Sequence, residues 1–386
     1  MSCAGYFCQR GLYVNGLKLL LFSALETLVT CVKQVTSVNF PNILSKCKPQ
    51  ENDCVADIEI SADGKHLGII TSISKQLLIY QLPLAEKYKC FMLPRSASRI
   101  RFTRDSANIL VADKSGDVLI YDVMKTEDNG LKLLGHLSLL LDVLQTNDQK
   151  YIITSDRDEK IKVSCYPNTY SIHSYCLGHK EFVNHIELLP HSDNYLTSSS
   201  GDGTVKIWDY TKGTLCYTIN TNQDIENYQH IEHFIKVMDE DGVKVETLPI
   251  VHYTITKLDD KKSILAVMVH SLNVLFVYSL QTFENMFIHK LECKLTLEQF
   301  PDAIKFQNVS LYVVYQTECS VYDLFVNNDC FTIEHNRKIT TFGNTINESD
   351  FKIDKYDVIK VLFKRKFDNV LEYQERKKQR LQKSMQ

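Results

Sequence analysis

His179, Ser198 and Asp202 lie in one short stretch and have the residue types of a general base, a nucleophile and an orienting acid. In a hydrolase such a set activates the serine hydroxyl for attack on a carbonyl. Residues 222–246 hold seven acids and two lysines. Their Asp-Glu-Asp-Gly run at 239–242 faintly resembles a calcium loop. An EF-hand, however, spreads its ligands over ~12 residues and closes on a glutamate, so a solvated acidic loop is the better reading. The chain has 12 cysteines and no CxxC pair. One zinc ion must be met by four ligands at ~2.0–2.3 Å, so no metal site is expected. Only 14 glycines occur in 386 residues, which argues against a glycine-rich nucleotide loop.

The elements that must position these groups repeat. Residues 178–209 open on Gly-His, close on Trp-Asp, and hold three apolar-rich runs separated by turn signals. Such runs are strands, and the unit resembles a WD40 repeat. Equivalent units end at Tyr80, Tyr121, Ser164, Trp208, Tyr278 and Tyr322, stepping by 41, 43, 44, 70 and 44 residues. A period of ~40–45 residues is propeller-blade spacing, and the long step marks an insertion between blades five and six. A degenerate first blade fits residues 11–35, and the segment before it can supply an outer strand to the last blade. The reading is all-β: a seven-bladed WD40 β-propeller over residues 1–326, followed by a loop and basic tail over 327–386 that could be helical from about Asp368.

The WD40 frame reassigns the hydrolase-like set. In such blades a His, a Ser or Thr, an Asp and a Trp form a buried hydrogen-bonded chain, because unpaired buried polar groups cost ~1–3 kcal/mol each. Resemblance assigns His179, Ser198, Asp202 and Trp208 to one chain and His136, Thr154 and Asp158 to another, with Ser164 unable to play the tryptophan part. No catalytic residue is expected.

The net charge of −3 divides unevenly: residues 360–386 hold nine Lys/Arg against three Asp/Glu. A basic tail therefore hangs on an acidic body. Lys364, Arg365, Lys366, Arg376, Lys377, Lys378 and Arg380 suit nuclear import or phosphate contact with a nucleic acid, and a solvated end is the plain alternative. No run approaches the ~20 apolar residues of a membrane span. A soluble intracellular protein with reduced cysteines is expected.

Residues 112–118 (ADKSGDV), 133–143 (LLGHLSLLLDV), 153–164 (ITSDRDEKIKVS) and 177–183 (LGHKEFV) resemble the WD-repeat, non-catalytic subunit of eukaryotic tRNA (guanine-N7-)-methyltransferase, called Wuho in insects. The likeness is dense over blades three to five and thin elsewhere, apart from the basic tail. It implies a heterodimeric scaffold that stabilises a separate catalytic subunit. That subunit would hold S-adenosylmethionine and methylate N7 of guanosine 46 in tRNA; the present chain would hold no cofactor. The resemblance implies the nucleus, with the cytoplasm as a second compartment. It also implies partner contacts at Lys114, Glu159 and Lys162. Strand alternation sends Ile161 and Val163 inward and Lys162 the other way, and Arg157 and Lys160 add mixed charge to the same turn. A reading from another class is a WD40 substrate-receptor adaptor of a ubiquitin ligase.

Overall fold

The computed structural model describes residues 55–340 except 73, 82–87, 126–128, 284–285, 316–317 and 328–329, together with three strands nearer the start (Leu12–Asn15, Lys18–Phe22, Val35–Asn39) and residues 359–364. Apolar runs bounded by turns pair into antiparallel meanders. Among the described residues, six four-stranded sheets follow one another, each in simple chain order, and the three early strands form a further, three-stranded sheet. This is the architecture of a WD40 propeller.

All six repeat ends identified by period fall on the third strand of a four-stranded sheet: Gln76–Gln81, Asp117–Asp122, Ile161–Cys165, Thr204–Asp209, Val274–Phe283 and Glu318–Asn327. The first strands, Val55–Ile60, Ala97–Phe102, Leu140–Gln145, Val183–Leu188, Ile250–Lys257 and Ala303–Gln307, neighbour one another in sequence order. Apolar clusters fill the spaces between adjacent sheets. Ile153, Ile161 and Val163 pack with Val183, Ile186 and Trp208, for example. Both faces of a sheet are thus covered by its neighbours, whereas outer strands such as Ile172–Cys176 stay largely exposed.

Three expectations are revised. The last four-stranded sheet does not stop at 326: its third strand runs to Asn327, and Cys330–Thr340 pairs with it as the outer strand. That sheet takes all four strands from its own stretch of chain, so an N-terminal strand is not its fourth member. The acidic insertion is not merely a solvated loop. It contains helix α1 (Gln229–Glu240), whose Phe234 and Met238 are buried in the core. Ile231, Phe234, Ile235 and Met238 stand at i, i+3, i+4 and i+7, an apolar stripe diluted by histidines and acids.

The first strands are joined by charge. Asp142 is fully buried and meets Arg99 Nε at 3.4 Å, Arg101 Nη2 at 3.3 Å and His185 Nδ1 at 2.8 Å. The backbone N–H groups of Val143 and Ile186 also donate to it, at 2.8 and 3.1 Å. Arg101 reaches Glu59 as well, and Lys305 approaches Glu187 at 3.9 Å. Burial works against the Asp142 carboxylate, but the two guanidinium groups and His185 outweigh it and hold it far below the carboxylate range. Burial likewise opposes Glu187, which Lys305 and His185 bring to about 2. Asp57 goes the other way: desolvation dominates and raises its pKa well above the ordinary value.

Candidate functional site

The loops that enter the first strands and the turns that join second to third strands share one rim of the central sheets. Backbone bonds tie them together. Lys114 N donates to Ser96 O, Arg157 N to Leu139 O, and Gly201 N to Phe182 O, each at 2.9 Å.

Beneath this rim, in the sheet of residues 183–220, lies the hydrogen-bonded chain. His179 Nδ1 is 2.9 Å from Asp202 Oδ2, and His179 Nε2 is 2.7 Å from Ser198 Oγ. Trp208 Nε1 donates to the same Ser198 oxygen at 2.8 Å. Desolvation lowers the His179 pKa, against the Asp202 hydrogen bond, and so favours the neutral ring. The network then assigns its proton to Nδ1, with Ser198 donating to Nε2. Burial opposes the Asp202 carboxylate, but His179, the Thr204 hydroxyl and the Lys180 backbone N–H together outweigh it and keep the group well below its ordinary range. These contacts have the lengths of a catalytic triad. Ser198 is fully buried, however, and enclosed by His179 and Trp208. A carbonyl substrate has no approach to its oxygen, so the arrangement is structural.

The neighbouring sheet, residues 140–176, builds the chain differently. His136 Nε2 meets Thr154 Oγ1 at 2.7 Å, but His136 Nδ1 meets Asp156 Oδ2 at 2.8 Å rather than Asp158. Asp156 ends the strand Tyr151–Asp156, two residues from Thr154 and therefore on its face. The turns themselves correspond: Glu159 has φ +68° where Gly203 has φ +72°. Asp158 sits in the turn, half-buried, with Lys364 Nζ 3.7 Å from its Oδ1. Ser164 occupies the tryptophan position, and its buried Oγ has no hydrogen-bond partner among the described residues. Ser164→Ala should accordingly be neutral or stabilising by up to ~1 kcal/mol, whereas Ser198→Ala should destabilise by ~1–3 kcal/mol. Chemical denaturation of the two variants checks this, and a large loss from Ser164→Ala would refute the unpaired assignment.

Lys162 is also corrected. It does point away from Ile161 and Val163, but that side is not open. The loop at Gly135–His136 covers it, leaving Lys162 6% exposed, with Nζ donating to Gly135 O at 2.6 Å. Burial lowers its pKa. Lys162 is therefore part of the support beneath the rim. Lys160 is exposed on the rim, while Lys114, Arg157, Asp158 and Glu159 are half-buried there.

Glu159 has a partner from far along the chain. Lys364 Nζ meets Glu159 Oε1 at 2.6 Å and Asp158 Oδ1 at 3.7 Å. Of the basic tail residues, Lys364 is thus placed on the rim. Arg365, Lys366, Arg376, Lys377, Lys378 and Arg380 lie outside the described residues. Sequence reasoning missed Asp156, the buried Phe363 and the charged first strands. For the last a signal existed: a charged or histidine residue on one or both sides of an inward apolar one, as in Asp57-Ile58-Glu59, Arg99-Ile100-Arg101 and His185-Ile186-Glu187. Among the described residues, no group of three or more His, Cys, Asp or Glu could hold a metal ion.

Comparison with known proteins agrees with this architecture. The family described as the tRNA methyltransferase TRM82 WD40 domain matches residues 33–132 and 126–301. Among curated relatives, the protein named tRNA (guanine-N(7)-)-methyltransferase non-catalytic subunit wuho from Drosophila willistoni is 46% identical over 161 residues, covering 41% of this chain and 38% of that protein. Its counterpart from Drosophila mojavensis is 37% identical over 210 residues, covering 53% and 55%. The chain thus spans well under two thirds of the length of these relatives. A chain in a crystal structure of the mitotic checkpoint complex superposes with a TM-score of 0.60 at 12% identity, covering 79% of this chain and 83% of that one. That likeness speaks for the fold alone.

Proposed function

This chain belongs to the tRNA methyltransferase TRM82 WD40 domain family, and from that premise we propose that it is the non-catalytic subunit of a tRNA (guanine-N7-)-methyltransferase. It binds a separate catalytic subunit in a heterodimer and stabilises it for N7-methylation of guanosine 46 in tRNA. S-adenosylmethionine resides on the catalytic subunit, and the complex works in the nucleus. The observation that carries the reading is the family match across residues 33–301, joined to the names of the relatives. The structure supports it in one respect: the Ser–His–Asp set that could have been catalytic is enclosed as a scaffold element.

The partner-facing surface in this reading is the rim at Lys114, Arg157, Lys160 and Glu159, with Lys162 supporting it from below. Mixed charge on one turn selects a partner of complementary pattern more than it adds raw affinity.

The test is affinity purification of the tagged chain from its native cells, followed by identification of bound proteins and assay with tRNA and labelled S-adenosylmethionine. The expected result is recovery of a methyltransferase subunit, no methyl transfer by the purified chain alone, and transfer by the complex. Recovery of a cullin-type ligase with no methyltransferase, or activity in the isolated chain, would overturn the proposal.

A further inference from the structure

Residues 359–364 lie across three separate parts of the molecule. The Phe363 ring, 3% exposed, has its centroid 5.0 Å from that of Phe182, edge to face, and 6.3 Å from that of Phe234 in helix α1. Ile359 is buried in the same cluster, and Leu362 packs against it. On either side of the aromatic contact lies an ion pair. Lys360 meets the carboxylate of Asp241, the residue that follows α1. Lys364 Nζ meets Glu159 Oε1 at 2.6 Å and Asp158 Oδ1 at 3.7 Å on the rim turn. Burial works against the Lys364 ammonium, but Glu159, Asp158 and Glu181 outweigh it and raise its pKa. The segment therefore brings one cation to the anionic half of a turn that reads Arg157-Asp158-Glu159-Lys160. Both acids of the turn are engaged from within the chain, while Lys160 stays exposed.

From this geometry we propose that residues 359–364 are an autoinhibitory strap: Lys364 masks Glu159 and Asp158, and a cationic group of the incoming partner subunit displaces it to reach them. The inference rests on the function proposed above, which places Glu159 on the partner-facing rim, and adds a competitor for that residue. A second cation does not simply share the site. It would lie beside the Lys364 ammonium, and like charges juxtaposed at a contact are disfavoured. Nor is Lys364 an ordinary mobile surface lysine. Phe363 beside it is fixed by burial, so less conformational freedom is lost when Lys364 pairs. Lys360 on Asp241 holds the other end. The apolar contact gives the strap its strength. The pair at the rim is the displaceable end, because the Lys364 side chain keeps 42% of its surface exposed. A pair that open to water is worth no more than about fivefold in an equilibrium constant. Masking of that size tunes partner binding without preventing it. Phe363 is the positioning residue, acting through Lys364 by setting where the lysine lies.

The experiment measures the affinity of the full chain for its catalytic subunit, with a melting curve on each preparation. Lys364→Gln should strengthen binding about two- to fivefold, and Lys364→Arg, which keeps the cation, should bind as wild type does. Phe363→Ala should strengthen binding to the same extent, and the double variant should gain no more than either single one. In a Glu159→Gln background Lys364→Gln should bring no gain, because the masked carboxylate is gone. Where Phe363→Ala melts early, Lys364→Gln carries the test alone, being altered only at a half-exposed side chain. Weaker binding by Lys364→Gln would make the segment part of the interface and overturn the masking, and a gain that persists in the Glu159→Gln background would overturn it too. A gain from Lys364→Gln with none from a well-folded Phe363→Ala would remove the positioning role of Phe363. If neither wild type nor Lys364→Gln binds a catalytic subunit, the proposed function fails and the strap with it; if wild type binds and Lys364→Gln gains nothing, only the strap fails.

Discussion

Asp142→Ala is expected to cost about 3–5 kcal/mol, because removing one member of a buried charge cluster strands the others. Asp142 is fully buried and joins three consecutive first strands through Arg99, Arg101 and His185 and through the backbone N–H of Ile186. The lower end of that range applies, since both arginines retain some solvent exposure and keep Asp57 or Glu59 within reach. Urea denaturation at neutral pH reads the effect, and a loss under ~1 kcal/mol, the worth of an exposed pair, would remove the cluster from the account of stability.

The same residue shapes the acid response. Asp142, Glu187 and Asp202 all titrate below their unfolded values in the folded chain, Glu187 at about 2. Their stabilisation is complete above an unfolded carboxylate pKa of ~4 and drains away as pH falls toward the folded values. Asp57, whose pKa is raised by burial, acts in the opposite sense and favours the folded state as it takes up a proton. The acid limb of the wild-type stability curve should be steeper below pH ~4 than that of Asp142→Ala, which has one fewer depressed carboxylate. Superimposable acid limbs would show that Asp142 does not carry the shift.

Trp208→Ala should be comparably damaging, at about 3–5 kcal/mol for a large buried aromatic. The side chain is fully buried between two sheets, and its Nε1–H is one of the two groups that engage Ser198 Oγ. Trp208→Phe separates the contributions. It retains most of the apolar surface and removes the donor, so about 1 kcal/mol should be lost, near the net worth of one hydrogen bond. Thermal melts of the pair alongside wild type make the measurement. Equal midpoints for Trp208→Ala and wild type would refute the assigned blade.

The His179 chain was legible because everything that specifies it is local: a Gly-His loop, a tight turn and a strand residue two turns away, all inside one repeat. The His136 chain was half legible. Thr154 was assigned correctly, but two aspartates compete for one ring nitrogen, and strand pleat decides for Asp156. Alternation gave the direction of Lys162 but could not reveal that the Gly135–His136 loop closes over it. Helix α1 carried its apolar stripe in plain view, diluted by acids that suggested a loop. Phe363 and Lys364 had no local signal for their roles, since Lys364 reaches Glu159 across 205 residues of chain.

By itself, the sequence determined the repeating four-strand unit, the insertion after the fifth repeat and the family, because strand alternation, turn residues and repeat spacing are short-range properties written along the chain. Tertiary structure alone decided which carboxylate serves His136, whether Lys162 is covered, how Asp142 joins three sheets, and where residues 359–364 come to rest. The reason is physical. The burial of a polar atom and the partner that satisfies it depend on what another sheet or a distant segment brings alongside, and neither is encoded in the spacing of neighbours.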